Sequence, residues 1–495
     1  MPDFIHDRPH SLPFDGKPHA MIRRPLTLMT TAALAMQPLA ASAQQTPLRP
    51  DRAAFRELYR ELVETNTTSS VGDCTKAAQQ IGARLRQAGF TDRELVLYVP
   101  PGRPRDGGLV ATWAGSDATL PAMLLLAHID VVEAKREDWV REPFKLIEEG
   151  GYFYARGASD DKAQAAIFAD TLIRLRQGNV KPRRTVKLAL TCGEEGSSAK
   201  VLNGAGWLVD NRPDLMKAGF AFNEGGGGSA ASGGGPETLG VQISQKSPRN
   251  FVLEVTNPGG NSSQPKPDNA IYRLAVALTR LSSLQFPVRL NPVSQAYLAK
   301  AGALRKDAVG AAMRRLASRP DDEEAARILS ANTSLNPVLR TTCVATMLDA
   351  GHAANALPQR ASATINCRIV PGETADQTRA AIERTIADPQ VKVQRSNIQE
   401  RPVAVVPPLD PAILKPIETI GARHFPGVPV VPTQSTGATD ATYLSRLNVP
   451  TYGIPGLWND PATAGTHGLN ERIPVDAVYR GRDYVYDLVS YFAMN

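Results

Sequence analysis

Apolar positions follow two rhythms along this chain. In "FRELYRELVE" and "AAQQIGARLRQAGF", between residues 51 and 91, they recur at helical spacing. "LVLYV" and "LVATWAG" then read as strands. "AMLLLAHIDVV" is an unbroken apolar run, the pattern of a parallel strand buried on both faces. "AQAAIFADTLIRLRQG" is helical again, "RTVKLAL" is a strand, and "VLNGAGWLVDNRPDLMKAGFAFNEGGG" continues the alternation. Helix and strand in turn predict an α/β fold, with a mostly parallel sheet flanked by helices.

The rhythm changes near residue 247. "NFVLEVTN" alternates, "NAIYRLAVALTRLSSL" is helical, and "TTCVATML" with "ASATINCRIV" reads as an antiparallel pair. "AYLAKAGALRKDAVGAAMRRLAS" and "DDEEAARILSAN" add helical pattern over roughly residues 290–335. The α/β character returns near residue 400 and ends in the helix "VDAVYRGRDYVYDLVSYFA". This predicts one α/β domain, residues 48–246 and 400–495, interrupted by an inserted α+β domain, residues 247–399. "GGGGSAASGGG" at 225–235 reads as a flexible loop. It lacks the Gly-Lys-Ser/Thr of a phosphate-binding loop.

The 495 residues suffice for two or three domains, and a hydrophobic content of 42% suits a large core. A net charge of +7 is spread without a dense Lys/Arg block, and aromatics make up only 6%, so nucleic-acid binding is disfavoured. From Met21, "MIRRPLTLMTTAALAMQPLAASAQQ" has two arginines, a short apolar stretch and Ala41-Ser42-Ala43, the layout of a secretory signal peptide cleaved after Ala43. The stretch is too short for a membrane span. Residues 1–20 read as an upstream extension, so 1–43 form a leader and the mature chain is expected to be exported, periplasmic or secreted. The leader takes three histidines, leaving His128, His352, His424 and His467. Of the four cysteines, Cys343 and Cys367 lie on the two strands expected to pair, within reach of a disulfide. Cys192 reads as a small buried residue.

In "AHIDVV", His128 and Asp130 end a strand two residues apart, on one face. A metal-binding histidine commonly has its second nitrogen held by a carboxylate. Alone, His-x-Asp reads more readily as a core histidine beside a salt bridge. Asp160 and Asp161 in "GASDDK" precede a helix, where a single cap would suffice. "TCGEEG" presents Glu194 and Glu195 beyond another strand, "FNEGGGG" presents Glu224, and "AGTHGLNERI" adds His467 in a glycine-flanked loop. Ligands of open α/β sheets bind at the carboxyl ends of the strands. Nitrogen and oxygen donors without thiolates suit zinc, with cobalt or manganese as alternatives. This inventory suffices for a two-metal site and leaves one glutamate free as a base.

The ensemble resembles the di-zinc aminoacylase, carnosinase and glutamate-carboxypeptidase-type exopeptidases. The matching segments are "AHIDVV", "GYFYARGASDDK", "TCGEEG", "NEGGG", "GGNSSQPKPDNAI", "NALPQRASATINCRIVPG", "STGATDATYL" and "GTHGLNERI", in that order over nearly all of residues 50–495. The resemblance implies two Zn2+ per chain. His128 and Glu224 would hold one, Glu195 and His467 the other, and Asp160 would bridge them. Asp130 would orient His128, and Glu194 would be the general base for a metal-bridging water. It also implies a cis peptide at Asp160–Asp161. The inserted domain resembles the family's lid and dimerisation domain. There Asn355 and Arg368 match substrate contacts, and Gly437 and Asp440 match a substrate-side loop. The family's oxyanion histidine is replaced by Asn261 in "GGNSS". An amide still donates a hydrogen bond but carries no charge. His352 lies near Asn355 in sequence, and His424 reads as structural.

The resulting expectation is an exported di-zinc hydrolase cleaving amide bonds of dipeptides, peptide C-termini or N-acyl amino acids, and a homodimer through the inserted domain. Asn261 motivates one alternative, a non-catalytic metal- or peptide-binding protein on the same fold.

Overall fold

The computed structural model describes residues 49–196, 201–229, 235–396, 400–454, 456–460 and 463–495. The signal peptide expected before Ala43 lies outside these residues, as does the middle of the glycine-rich loop at 225–235.

The strands that build the two main sheets are β1 (Leu95–Tyr98), β2 (Gly108–Trp113), β3 (Met123–His128), β4 (Val186–Thr191), β5 (Phe220–Asn223), β6 (Leu239–Gln245), β7 (Ser247–Thr256), β8 (Thr342–Ala350), β9 (Arg360–Ile369), β10 (Lys392–Arg395), β11 (Val430–Ser435) and β12 (Thr451–Gly453). The principal helices are α1 (Pro50–Glu64), α2 (Cys74–Gln87), α3 (Lys162–Gln177), α4 (Ala270–Ser282), α5 (Pro292–Leu304), α6 (Ala308–Ser318), α7 (Glu323–Ser330), α8 (Ala375–Ile386), α9 (Pro411–His424) and α10 (Val475–Met494).

The first sheet has eight strands in the order β1-β2-β4-β3-β5-β12-β6-β11. Its centre is parallel, with β3 between β4 and β5 and with β12 beside β5. All six residues of β3 and of β4 are buried. Their side chains divide by parity. Met123, Leu125 and Ala127 face a core built with α1, α3, α9 and α10, while Leu124 and Leu126 pack on Leu208, Met216 and Leu444. A sheet covered on both faces explains why these strands read as continuous apolar runs rather than alternating ones.

The second sheet, β8-β9-β7-β10, is antiparallel. β7 alternates strictly between buried and part-exposed positions, and its inner face packs on α4 and α8. β8 lies at the edge and is exposed from Val344 to Ala350. Helices α5, α6 and α7 share a separate core around Leu298, Met313, Leu316 and Leu329. Among the described residues no helix is long and apolar enough to cross a membrane.

Cys343 and Cys367 are cross-strand partners on β8 and β9 and form a disulfide, with Cα atoms 4.1 Å apart. Cys192 is buried, as expected, but not as a free thiol. It is disulfide-bonded to Cys74, 118 residues away, with Cα atoms 6.1 Å apart. Cys74 opens α2, and α2 packs on the sheet against β2, the neighbour of β4. That tertiary contact brings Cys74 to the end of β4, where Cys192 sits, and no local pattern announces it.

Candidate active site

Three neighbouring parallel strands deliver the site. His128 ends β3, Glu194 and Glu195 follow β4, and Glu224 follows β5. The turn after β4 needs a glycine. Gly193 has φ +88°, and a Cβ there would run into the Leu202 carbonyl. Asp160 and Asp161 stand before α3 and are joined by a cis peptide. His467 arrives from the far end of the chain in a left-handed conformation, φ 58°, between Gly465 and Gly468.

These groups converge. His128 Nε2 lies 3.0 Å from Asp160 Oδ1 and 3.5 Å from Glu224 Oε2. His467 Nε2 lies 3.2 Å from Asp160 Oδ2 and 3.0 Å from Glu195 Oε1. One carboxylate thus faces one histidine with each of its oxygens. His128 Nδ1 lies 3.1 Å from the carbonyl oxygen of Asp130. A carbonyl only accepts, so Nδ1 carries the hydrogen, and the lone pair of the neutral ring is Nε2, aimed into the carboxylates. The Asp130 carboxylate, 3.6 Å from the ring, does more for the glutamates: its two oxygens accept from the backbone N–H groups of Glu194 and Glu195 at 3.2 and 3.0 Å. It holds both the histidine and the turn.

Electrostatics mark the cluster as built for cations. Burial pushes Glu224 up to about 8 and Glu195 up to about 7. Burial also raises Asp161, with Glu224 adding to it. Hydrogen bonds to Asp160 and Glu195 raise His467 to about 10. Asp161 Oδ2 is buried without a hydrogen-bond partner among the described residues. Two sets of three donor atoms lie within 4.8 Å of one another: His128, Asp160 and Glu195, and His128, Asp161 and Glu224. Buried carboxylates this crowded are stable as anions only beside positive charge. The donor set therefore fits a pair of hard or borderline cations, held by nitrogen and oxygen alone.

A cavity of about 480 Å³ opens beside the cluster, lined by Glu194, Glu195, His467, Gly437, Asn366 and three arginines, Arg249, Arg368 and Arg401. Arg249 is engaged by Glu400 at 3.2 Å. Arg401 Nη1 donates to Glu194 Oε1 at 2.5 Å, and its Nη2 donates to the Glu194 carbonyl oxygen. Arg368 forms no ion pair among the described residues; its Nε donates to Asn366 Oδ1 at 3.2 Å. Asp440 is buried behind the loop, accepting from Thr191 Oγ1 and Asn203 Nδ2, and burial raises it to about 6.

Asn261 and Asn355 are not brought to this cavity. Asn261 lies on the two-stranded ladder of Gly260–Asn261 with Ala356–Leu357, where its Oδ1 accepts from Ser263 N, and the exposed Asn355 just precedes that ladder, its carbonyl accepting from Ser262 N. His352 is exposed nearby. His424 binds Asp487 at 2.8 Å, a structural pairing. Two residues that no local motif singles out are central. Arg401 covers Glu194. Glu471 is fully buried, and its carboxylate accepts from the N–H groups of Gly157, Ser159 and Asp160 and from Arg156 Nη1. It fixes the turn that presents Asp160. Its only sequence signal is its place four residues after His467.

A family model described as peptidase family M20/M25/M40 matches residues 124–491, well over half of the chain. The chain belongs to this family. As an M20 member it is a metallohydrolase of the peptidase or N-acyl amino acid hydrolase type, in a family of dinuclear metal-dependent enzymes. Its sequence is 30% identical over 389 residues to the N-fatty-acyl-amino acid synthase/hydrolase PM20D1 of Mus musculus, covering 76% of this chain and 75% of that protein. Its fold is similar to an M20 family metallo-carboxypeptidase from Sulfolobus solfataricus, with TM-score 0.67, 18% identity, and 90% of this chain and 100% of that one covered. It is also similar to a dinuclear metal binding peptidase of the family from Bacillus subtilis, with TM-score 0.55, 13% identity, and 90% and 98% covered.

Proposed function

We propose that the protein is an exported di-zinc hydrolase that cleaves the amide bond of N-acyl amino acids. The observation that carries this reading is the convergence of His128, Asp160, Glu195, Glu224 and His467 at one sheet edge, with Glu194 beside them and the cationic Arg368, free of any ion pair among the described residues, across the cavity. His128 and Glu224 would hold one ion, Glu195 and His467 the other, and Asp160 would span both. When bound, the ions polarise the scissile carbonyl and acidify water. The chain's own groups do the rest. Glu194 takes the proton of the attacking water and returns it to the departing amine. Arg368 takes the substrate's carboxylate through its planar fork. Asp130 and Glu471 keep the glutamate turn and Asp160 in place. N-acyl substrates are favoured over peptides by the similarity to the mouse enzyme named for them.

The two disulfides support export, because such bonds persist in oxidising compartments. We further read residues 247–399 as the lid and dimerisation domain. Its edge strand β8 exposes Val344, Met347 and Leu348, an open template for a second copy. Asn261 and Asn355 would then meet substrate from the partner.

The test is mass-spectrometric detection of products from a panel of dipeptides, C-terminal peptides and N-acyl amino acids, with zinc-loaded protein lacking the leader. Turnover of the acyl series is expected. Turnover of dipeptides alone would replace this reading by a peptidase. No turnover by protein that retains both metals would favour a binding protein.

A further inference from the structure

A second cavity, of about 380 Å³, begins on the other side of Glu224. One end is lined by Asn223 and Glu224, at the carboxyl end of β5, and the other by Val449, Pro450 and Thr451, at the start of β12. β12 runs parallel to β5, with Thr451 opposite Ala221 and Gly453 opposite Asn223. The cavity therefore extends along the strand pair, for roughly 10 Å at about 3.3 Å per residue. It is a slot leading away from the metal-ligand cluster rather than part of the arginine-lined cavity.

Its wall contains many polar residues, and several of their polar atoms bond one another. Asn223 Nδ2 donates to Thr439 Oγ1. Gln245 Oε1 accepts from Thr439 N, Thr439 Oγ1 and Gln242 Nε2. The hydroxyls of Thr442 and Ser445 donate to the carbonyls of Thr439 and Thr442. What these residues turn to the slot is largely carbon, joined by the strap Val405-Val406-Pro407-Pro408. Among the described residues Glu224 is the only charged one in the lining, and it belongs to the metal-ligand cluster. Away from Glu224 the slot offers no counter-charge to the free ammonium of a peptide, whereas a hydrocarbon chain needs none. Val405, 63% exposed, lies where the slot meets solvent, and Val403 beside it is 53% exposed. The far end of a long chain has an apolar path outward.

We propose that this slot receives the acyl chain of an N-acyl amino acid whose carboxylate lies on Arg368, and that the enzyme selects long unbranched aliphatic acyl groups. The inference rests on the N-acyl reading above and adds a place, a chain-length preference and named residues. Ser445 lines the slot, and the exposed Val405 lines it where it meets solvent.

The experiment measures kcat/KM across N-acyl-leucines from acetyl to palmitoyl, for wild type, Ser445→Phe and Val405→Asp. Near-UV circular dichroism and metal content show that each variant is folded and loaded. The expected wild-type result is a rise of roughly fourfold per methylene until the slot is filled, the factor for burying one methylene. Both variants should lower the lauroyl-to-acetyl ratio at least tenfold. A second readout needs no catalysis: laurate should bind the metal-free wild type with a negative heat-capacity change, and the variants should weaken it. Turnover of acetyl-leucine with no dependence on length would overturn the slot and leave the hydrolase reading standing. A rise with length that neither variant alters would overturn the slot equally. Cleavage of dipeptides with no acyl substrate accepted would overturn both.

Discussion

Glu194 has a neighbour that decides how it works. The Arg401 guanidinium bonds its side chain and its carbonyl together, so the carboxylate is aimed rather than free to rotate. If Glu194 is the base proposed above, replacing it by Gln keeps the shape and removes that base. The expected outcome is a fall in kcat of about 10²–10⁴-fold, the range of general acid–base catalysis, with both metals retained by mass spectrometry. Glu471 acts at one remove, through four donors on the turn that presents Asp160. Glu471→Gln should weaken metal affinity by about 10–100-fold, as outer partners of metal ligands do, measured by competition with a chelator. The two residues differ in how legible they are. Glu194, like His128, Glu195 and Glu224, follows a strand in a short motif, and chain order alone places it at the sheet edge. Arg401 and Glu471 meet their partners 207 and up to 315 residues away, with no periodicity to mark them. Their roles come from tertiary closure, which a local pattern does not encode.

Single elements show the same division. α6 and α7 begin with aspartates that both cap and pair. Asp307 accepts from Gly310 N and binds Arg305, while Asp322 accepts from Ala325 N and binds Arg315 and Arg319. The arginine hydrogen bonds, then the backbone ones, hold each carboxyl at about 2, below its ordinary 3.8. A depressed value in the fold means that the stabilisation is present above the unfolded value, from about pH 4 upward. It is lost as pH falls through about 2. The melting temperature of wild type should therefore drop on acidification across that window. Asp307→Asn with Asp322→Asn should melt lower than wild type at neutral pH and show a smaller drop in acid, followed by calorimetry. These helices are readable from their apolar spacing. α9 is not, because Pro411 and Pro416 punctuate "PAILKPIETIGARH". Pro416 stands one turn in, where one backbone hydrogen bond is forfeited, and burial of Ile413, Ile417 and Ile420 against the sheet core outweighs it.

For the whole molecule, the α/β alternation predicts the central sheet because both its faces are buried, and that burial writes itself into the sequence. The four-stranded sheet leaves a face and an edge uncovered. If β8 pairs with a second copy, Leu348→Glu should convert a dimer to a monomer in sedimentation velocity. Catalytic efficiency should fall with it, since Asn261 and Asn355 would lose the site they serve. The Cys74–Cys192 bond has a consequence in time rather than space. It closes a span of 118 residues and pins the segment that ends in both glutamates to the first turn of α2. Losing such a link commonly costs about 2–5 kcal/mol. Cys74→Ser with Cys192→Ser should unfold earlier in guanidinium and take up metal more weakly. A chain still in a reducing cytosol is in the same condition as that variant. If the chain is exported as proposed, maturation would run in a fixed order, with translocation and oxidation first and full metal loading afterwards, and the hydrolase would stay poorly loaded inside the cell that makes it.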